Sequence, residues 1–135
     1  MIEVNNLTRI KVDLDSLRKI AEKVLRGEKQ DCTELAVSLV SSAEIKKLNK
    51  KYRKKDKPTD VLSFTYMNSG EIVLCPRTIK QNAKRFDGSF KKELNRVLIH
   101  GILHILGYDH EKGGKEAEKM QQKEEYYNSS AARNI

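Results

Sequence analysis

The spacing of apolar residues along the chain predicts four short strands. Alternating or continuous apolar runs bounded by polar residues are typical of strands. These runs cover residues 2–10, 33–40, 61–66 and 71–75. The last two flank Asn68, Ser69 and Gly70, which are residue types typical of turns, so they form a candidate hairpin.

Apolar residues at intervals of three and four predict helices between and after these strands. Polar residues stand where the caps are expected: Asp13 or Asp15 before the first helix and Ser41 or Ser42 before the second. The helical segments are residues 14–25, 43–51, 76–86, 90–106 and 115–127. Residues 52–60 and 113–114 are expected to be loops, and residues 128–135 a frayed tail.

The helix over residues 90–106 is predicted to lie in the core. Its second half is apolar nearly all round, which is the pattern of a helix buried on most sides. Ser89 is its expected N-cap, and Gly107 stands at the position where a left-handed residue commonly ends a helix.

All 3 histidines of the chain stand at the end of this helix, at His100, His104 and His110. His100 and His104 are four residues apart and therefore project from one face, while Gly107 allows His110 to turn back toward them. Buried structural histidines are the alternative, but the ligand spacing favours a metal site. Three imidazoles with one open position are typical of catalytic zinc, so we expect one zinc ion or another divalent metal.

Gly101 distinguishes this stretch from the zinc peptidases. Their H-E-x-x-H motif carries a glutamate after the first histidine as general base, and here that position is glycine. A metal would still make a bound water more acidic. The missing carboxylate argues against peptide hydrolysis and leaves the base unassigned.

Composition predicts a single domain over residues 1–135 with a polyanionic partner. The formal net charge is +8, and the sequence pI of about 9.5 favours nucleic acid. Cys32 and Cys75 form no C-x-x-C pair and are expected to be reduced, buried thiols. No apolar run approaches transmembrane length and no signal segment opens the chain, so we expect a soluble, cytoplasmic protein with no membrane partner.

A basic stretch at residues 46–57 contains a single acid, Asp56. Its lysines are candidates for contacts with a phosphate backbone, although a solvated helix face is the commoner role of an individual lysine. Arg53 differs from the lysines because a guanidinium can bind two phosphate oxygens at once. The candidate RNA-binding lysines are Lys50, Lys51, Lys54, Lys55 and Lys57.

The chain resembles the YbeY family of bacterial endoribonucleases. The resemblance covers the histidine stretch of residues 100–110, the motif of residues 49–64 and a shorter block at residues 70–75. The order and spacing of these blocks extend it over most of the chain. The chain departs from the family at Thr65, where proline is common, and at Glu71, where aspartate is common.

This resemblance implies an α+β domain with a mixed sheet flanked by helices. It also implies a metal, usually taken as zinc, on His100, His104 and His110, and an essential role for Arg53. The implied activity is cleavage of single-stranded RNA in ribosomal RNA maturation, notably at the 3′ end of small-subunit rRNA, and in ribosome quality control. Ribosomal particles are then expected partners.

The leading hypothesis is therefore a metal-dependent phosphodiester hydrolase that acts on RNA, with Arg53 holding the scissile phosphate. Asp109 is a candidate for orienting a ligand histidine, or else a surface residue at the helix end. A ribosome-associated RNA-binding factor with a structural metal is the second hypothesis. A zinc peptidase ranks last because of Gly101.

Overall fold

A computed structural model describes residues 1–31 and 33–133, with the side chains of His110 and residues 130–133 excepted. Cys32 lies outside the described residues, whereas Cys75 is a buried free thiol, as predicted. The elements run in the order β1 (Ile2–Asn6), α1 (Leu14–Gly27), β2 (Glu34–Leu39), α2 (Ser42–Arg53), β3 (Val61–Thr65), β4 (Ser69–Leu74), α3 (Pro76–Arg85), α4 (Phe90–Ile105) and α5 (Gly114–Arg133), with a short 3₁₀ turn at His110–Lys112 before α5.

The four strands form one mixed sheet in the order β1-β2-β4-β3. β1 pairs parallel with β2, and β2 pairs parallel with β4. β3 runs antiparallel to β4, which confirms the predicted hairpin. Ser69 and Gly70 belong to β4 and pair with β2, so the connection is shorter than the sequence suggested. β3 is an edge strand of the sheet.

The two faces of the sheet are covered unequally. The main core lies between the sheet and a layer that includes α1, α4 and α5, and it holds Val37, Leu39 and Ile72 at 0% exposure. A smaller cluster on the other face packs Ile45 of α2 against Leu62 of β3. This arrangement confirms the α+β prediction.

β1 ends earlier than the apolar pattern indicated, because Asn6 starts a turn. Its side-chain oxygen accepts hydrogen bonds from the backbone N–H (3.0 Å) and the hydroxyl (2.7 Å) of Thr8. Its amide nitrogen donates to the carbonyl of Ile10 at 2.8 Å. These local bonds replace strand pairing, so the prediction of a strand to residue 10 was wrong.

The predicted caps are present, but two helices run further than expected. Asp13, Ser41 and Ser89 each accept a hydrogen bond from the backbone N–H three residues on. α2 continues through Arg53 to a left-handed residue at Lys54, with φ of 59°.

Within residues 1–31 and 33–133, no helix is long and apolar enough to cross a membrane.

α5 was predicted to end at residue 127 and instead reaches Arg133. Its buried residues Met120 and Tyr127 belong to the main core and stand seven positions apart, on one face of the helix. Packing of that face anchors α5 as far as Tyr127, and beyond it the side chain of Asn128 donates to the carbonyl of Glu124 at 2.8 Å.

α4 is buried as predicted and packs directly on the sheet. Leu98, Ile99, Ile102 and Leu103 are all 0% exposed. A glycine stands on the helix and another on the strand, where the two surfaces meet. A Cβ at Gly101 would approach Ser63 Oγ to 3.2 Å, and one at Gly70 would approach Ile105 Cγ2 to 2.6 Å.

Glu28, just beyond α1, joins three distant parts of the chain through its carboxylate. It accepts hydrogen bonds from the hydroxyls of Tyr108 (2.6 Å) and Tyr127 (2.5 Å), and Lys123 Nζ lies 3.0 Å away. Burial opposes ionisation, but these partners prevail and lower the pKa of Glu28. Burial and the Glu28 carboxylate raise the pKa of Tyr108 to about 12.

We predict that Gly70→Ala destabilises the protein by about 1–3 kcal/mol, because the added methyl group overpacks Ile105. Gly88→Ala is the control, since the nearest atom to its Cβ would be 3.8 Å away. Urea unfolding measures both. Equal stability of the two variants would contradict the close contact between β4 and α4.

We predict that Glu28→Gln lowers the free energy of unfolding at pH 7 by about 1–3 kcal/mol, because a buried charged acceptor is lost. Since the folded pKa lies below the ordinary 4.5, Glu28 stabilises the fold above that pH and loses this effect as pH falls through the folded pKa. The difference from the wild-type protein should therefore shrink in acid. Glu22→Gln, exposed on α1, is the control, and unfolding curves from pH 3 to 8 test the trend.

Candidate active site

His100 and His104 lie on the last turns of α4, as predicted. Leu106 is the C-cap, and Gly107 follows with φ of +104°. The N–H of Gly107 donates to the carbonyl of His104 and that of Tyr108 to the carbonyl of Leu103, both at 3.1 Å. This is a Schellman motif, and it reverses the chain immediately after the two histidines.

A cleft of about 570 Å³ brings the two histidines together with the end of α2 and the start of β3. Its basic residues come from α2 and the following loop, and its carboxylates come from the residue before β3 and from the 3₁₀ turn. The lining residues are Arg53, Lys55, Thr59, Asp60, Val61, Ser63, His100, His104 and Glu111.

The Nδ1 atom of His100 makes a very short contact with the Oε1 atom of Glu124 on α5. Both side chains are shielded from solvent, with exposures of 27% for His100 and 21% for Glu124. A carboxylate at Nδ1 favours the tautomer that carries its proton there, and it orients the ring. A metal would then be bound through Nε2.

His104 also fits a metal site. Within the described part of the chain, its Nδ1 atom is buried and has no hydrogen-bond partner. A buried polar atom without a partner is unfavourable, so imidazoles in protein interiors are normally satisfied. An ion is one partner that would satisfy this atom, and His104 would then bind it through Nδ1, where His100 would bind through Nε2.

The third predicted ligand, His110, begins the 3₁₀ turn, and its side chain lies outside the described residues. Among the side chains that are described, no three histidines, cysteines, aspartates or glutamates group closely enough to hold a metal. The three-histidine site therefore stays a prediction. The backbone turn after Gly107 leads into His110, and Tyr108, two residues before it, is held by Glu28.

Gly101 faces the sheet. A Cβ there would lie 3.2 Å from Ser63 Oγ and 3.4 Å from Ile72 Cδ1, and the residue is buried. A glutamate side chain at this position would have to displace β3 or β4. The packing of α4 thus excludes a peptidase-type base for a steric reason.

Arg53 occupies the last residue of α2, rather than the predicted loop, and lines the cleft. Asn49, which is 2% exposed, shapes the chain that follows. Its side chain donates to the carbonyl of Lys57 at 2.8 Å, and its own carbonyl accepts from the N–H of Lys55 at 3.3 Å. Asn49 therefore fixes the backbone on both sides of Asp56, and Lys55, within this segment, lines the cleft.

The other candidate lysines lie around this point. Lys50 is 4.0 Å from Asp56 in an exposed ion pair, and Lys51 lies over the ring of Tyr52. Lys54 provides the left-handed cap of α2, and Lys57 is exposed in the loop. Lys55 is the one of the five that lines the cleft.

Asp109, the acid named from the sequence, stays a prediction, and the structure places other acids near the two histidines. The carboxylate of Asp109 accepts a hydrogen bond from the backbone N–H of Glu111 at 2.9 Å, which is a local turn contact. Glu124 is the carboxylate that contacts His100, while Asp60 and Glu111 line the cleft. Glu124 stands 24 positions after His100, and no spacing rule links a ligand to so distant a partner.

Arg96, one turn before His100 on α4, adds a positive charge near these acids. Its hydrogen bonds to Glu93 are the main cause of its raised pKa, and the charges of Asp60 and Glu124 contribute further. Arg96 thus lies within electrostatic reach of both carboxylates.

Comparisons with known proteins point to one family. The model of the family described as Endoribonuclease YbeY matches residues 3–131. A relative named Endoribonuclease YbeY from Aquifex aeolicus is 42% identical over 127 residues, covering 89% of this chain and 85% of the relative. One of the same name from Thermotoga maritima is 44% identical over 117 residues, covering 84% and 77% respectively.

A solved structure agrees in fold. The solution structure of a Thermotoga maritima protein is 39% identical in sequence, with a TM-score of 0.74, and the match covers 97% of this chain and 89% of that one. Because the family model spans nearly the whole chain and these relatives are well above 30% identical, the chain belongs to the YbeY family of endoribonucleases.

Proposed function

We propose that this protein is a metal-dependent endoribonuclease that cleaves single-stranded RNA in the cleft between α2, β3 and α4. The observation that carries the proposal is the meeting of Arg53 with His100 and His104 in that cleft. These residues are about fifty positions apart in the chain, and the family relationship supplies the reaction class.

His100, His104 and His110 would hold one divalent ion, zinc being the first choice for three imidazoles. The Nδ1 contact of His100 with Glu124 and the unpartnered Nδ1 of His104 support this assignment. Such an ion supplies Lewis acidity, which lowers the pKa of water and polarises a phosphoryl oxygen.

Arg53 would bind the non-bridging oxygens of the scissile phosphate. Its guanidinium stays charged at every working pH and can donate two parallel hydrogen bonds. In the reaction, a water oxygen bonds to phosphorus as the bond from phosphorus to a ribose oxygen breaks, and the departing ribose oxygen takes up a proton from solvent. Arg53 would stabilise the negative charge that develops on the phosphoryl oxygens.

The proton of the attacking water needs an acceptor other than residue 101, which is glycine. Asp60 and Glu111 are the carboxylates that line the cleft, so one of them would accept this proton. The second of these two carboxylates would help to orient the histidines or the attacking water. Lys55 would bind a neighbouring phosphate, and the exposed lysines around it would attract the RNA backbone.

The RNA substrate we propose is ribosomal. Maturation of the 3′ end of small-subunit rRNA and ribosome quality control, both in the cytoplasm, are the processes implied by the resemblance of residues 49–64 and 100–110 to the family motifs. The net charge of +8 is compatible with so polyanionic a partner.

We predict that Arg53→Ala lowers kcat on a defined single-stranded RNA by about 10²–10³-fold, because it removes stabilisation of transition-state charge. Its bound metal, measured by elemental analysis, should be unchanged. His104→Ala should lose both metal and cleavage, whereas Arg26→Ala, exposed at the end of α1, should retain both. Cleavage that persists in Arg53→Ala and His104→Ala would overturn the proposal, and a 2′,3′-cyclic phosphate product would overturn attack by water.

We predict that Glu124→Gln weakens metal binding by about 10–100-fold, because the carboxylate that orients His100 is lost. Glu125→Gln, exposed on the same helix, should bind metal normally. Competition with a chromogenic chelator measures both dissociation constants independently of RNA cleavage. Equal affinities in the two variants would show that Glu124 has no role in the site.

A further inference from the structure

Tyr52 presents an aromatic ring to solvent beside the cleft. It lies in the last turn of α2, directly before Arg53, and is 55% exposed. An exposed aromatic ring offers an apolar face that a planar ligand can contact.

The Tyr52 ring is held in place on its inner side. Phe64 of β3 contacts it edge to face, with the ring centroids 5.1 Å apart and the planes at 69°. The ammonium group of Lys51 lies 5.2 Å from the ring centroid. A ring supported in this way loses little conformational entropy when a ligand stacks on it.

The Tyr52 ring and the cleft lie on opposite sides of the edge strand β3. Phe64 follows Ser63, which lines the cleft, and neighbouring residues of a strand point to opposite faces of the sheet. β3 is the edge strand, so Tyr52 and the cleft lie on the two sides of one exposed edge. A polymer that crosses this edge can contact both.

The charge around Tyr52 selects the kind of polymer. The neighbouring residues Lys50, Lys51, Arg53 and Lys54 are all exposed and positive. An apolar protein partner would need a wider apolar patch and fewer charges. A flexible polyanion that carries aromatic groups of its own matches both the exposed ring of Tyr52 and the positive charge around it.

We propose that Tyr52 stacks on an unpaired RNA base while Arg53 binds a phosphate of the same strand. The inference rests on the proposed function, because it takes RNA as the substrate of the cleft. Stacking of this kind requires a base to leave the helical stack, so Tyr52 selects single-stranded over double-stranded RNA.

The first test is equilibrium binding of a single-stranded RNA whose phosphorothioate linkages resist cleavage. Tyr52→Ala should weaken binding about 5- to 100-fold, and Tyr52→Phe should stay within about twofold of the wild-type protein. Tyr66→Ala is the matched control, because Tyr66 is also 55% exposed but lies at the β3–β4 connection. Wild-type affinity in Tyr52→Ala, or an equal loss in Tyr66→Ala, would overturn the proposal.

A second measurement does not depend on the stability of the alanine variant. The chain has 0 tryptophans, so Tyr52→Trp and Tyr66→Trp each introduce a single tryptophan, whose fluorescence can be excited separately from that of the tyrosines. Single-stranded RNA should quench the fluorescence of Tyr52→Trp but not that of Tyr66→Trp, and an abasic strand of the same length should quench neither. Quenching of Tyr52→Trp by the abasic strand would show that phosphates, not bases, contact this position.

These results separate the inference from the proposed function. Quenching at position 52 in a protein that cleaves no RNA would support stacking and contradict the nuclease assignment. Cleavage of single-stranded RNA with unchanged KM in Tyr52→Ala would support the nuclease and contradict stacking.

Discussion

The structure depends on the close packing of α4 against β3 and β4. Glycines stand on both surfaces: a Cβ at Gly70 on the strand would collide with Ile105, and one at Gly101 on the helix would press on Ser63 and Ile72. Because α4 is buried on nearly all sides, its last turns are held rigidly. The histidines therefore project from a fixed element, and the cleft forms where the helix ends beside the edge strand.

The same packing explains why the site differs from a peptidase. The residue after the first histidine faces β3 and β4, so it has no room for a glutamate. Carboxylates reach the cleft from elsewhere instead, through Asp60 before β3 and Glu111 in the 3₁₀ turn. A familiar ligand spacing is thus combined with a different arrangement of acids.

Two carboxylates connect the site to the outer helices. Glu124 of α5 contacts His100, and Glu28 beyond α1 binds Tyr108, close to His110 in the chain. Glu28 also binds Tyr127 and Lys123 of α5. The position of α5 is therefore linked to both the histidine helix and the turn that follows it. An exposed loop could not hold the candidate ligands as precisely.

Local patterns in the sequence determined much of this protein. The caps at Asp13, Ser41 and Ser89, the chain reversal at Gly107 and the burial of α4 all depend on residues close together in the chain, so the sequence predicted them. The spacing of His100 and His104 belongs to the same class, because one helical turn relates them.

The contacts between distant segments were decided by the tertiary structure alone. Met120 and Tyr127 anchor α5 against the core, and Asn6 ends β1 through its own hydrogen bonds. The contact of Glu124 with His100 and the entry of Arg53 into the cleft join residues that no periodicity relates. Periodicity describes one element at a time, whereas an active site forms between elements, where packing sets the distances.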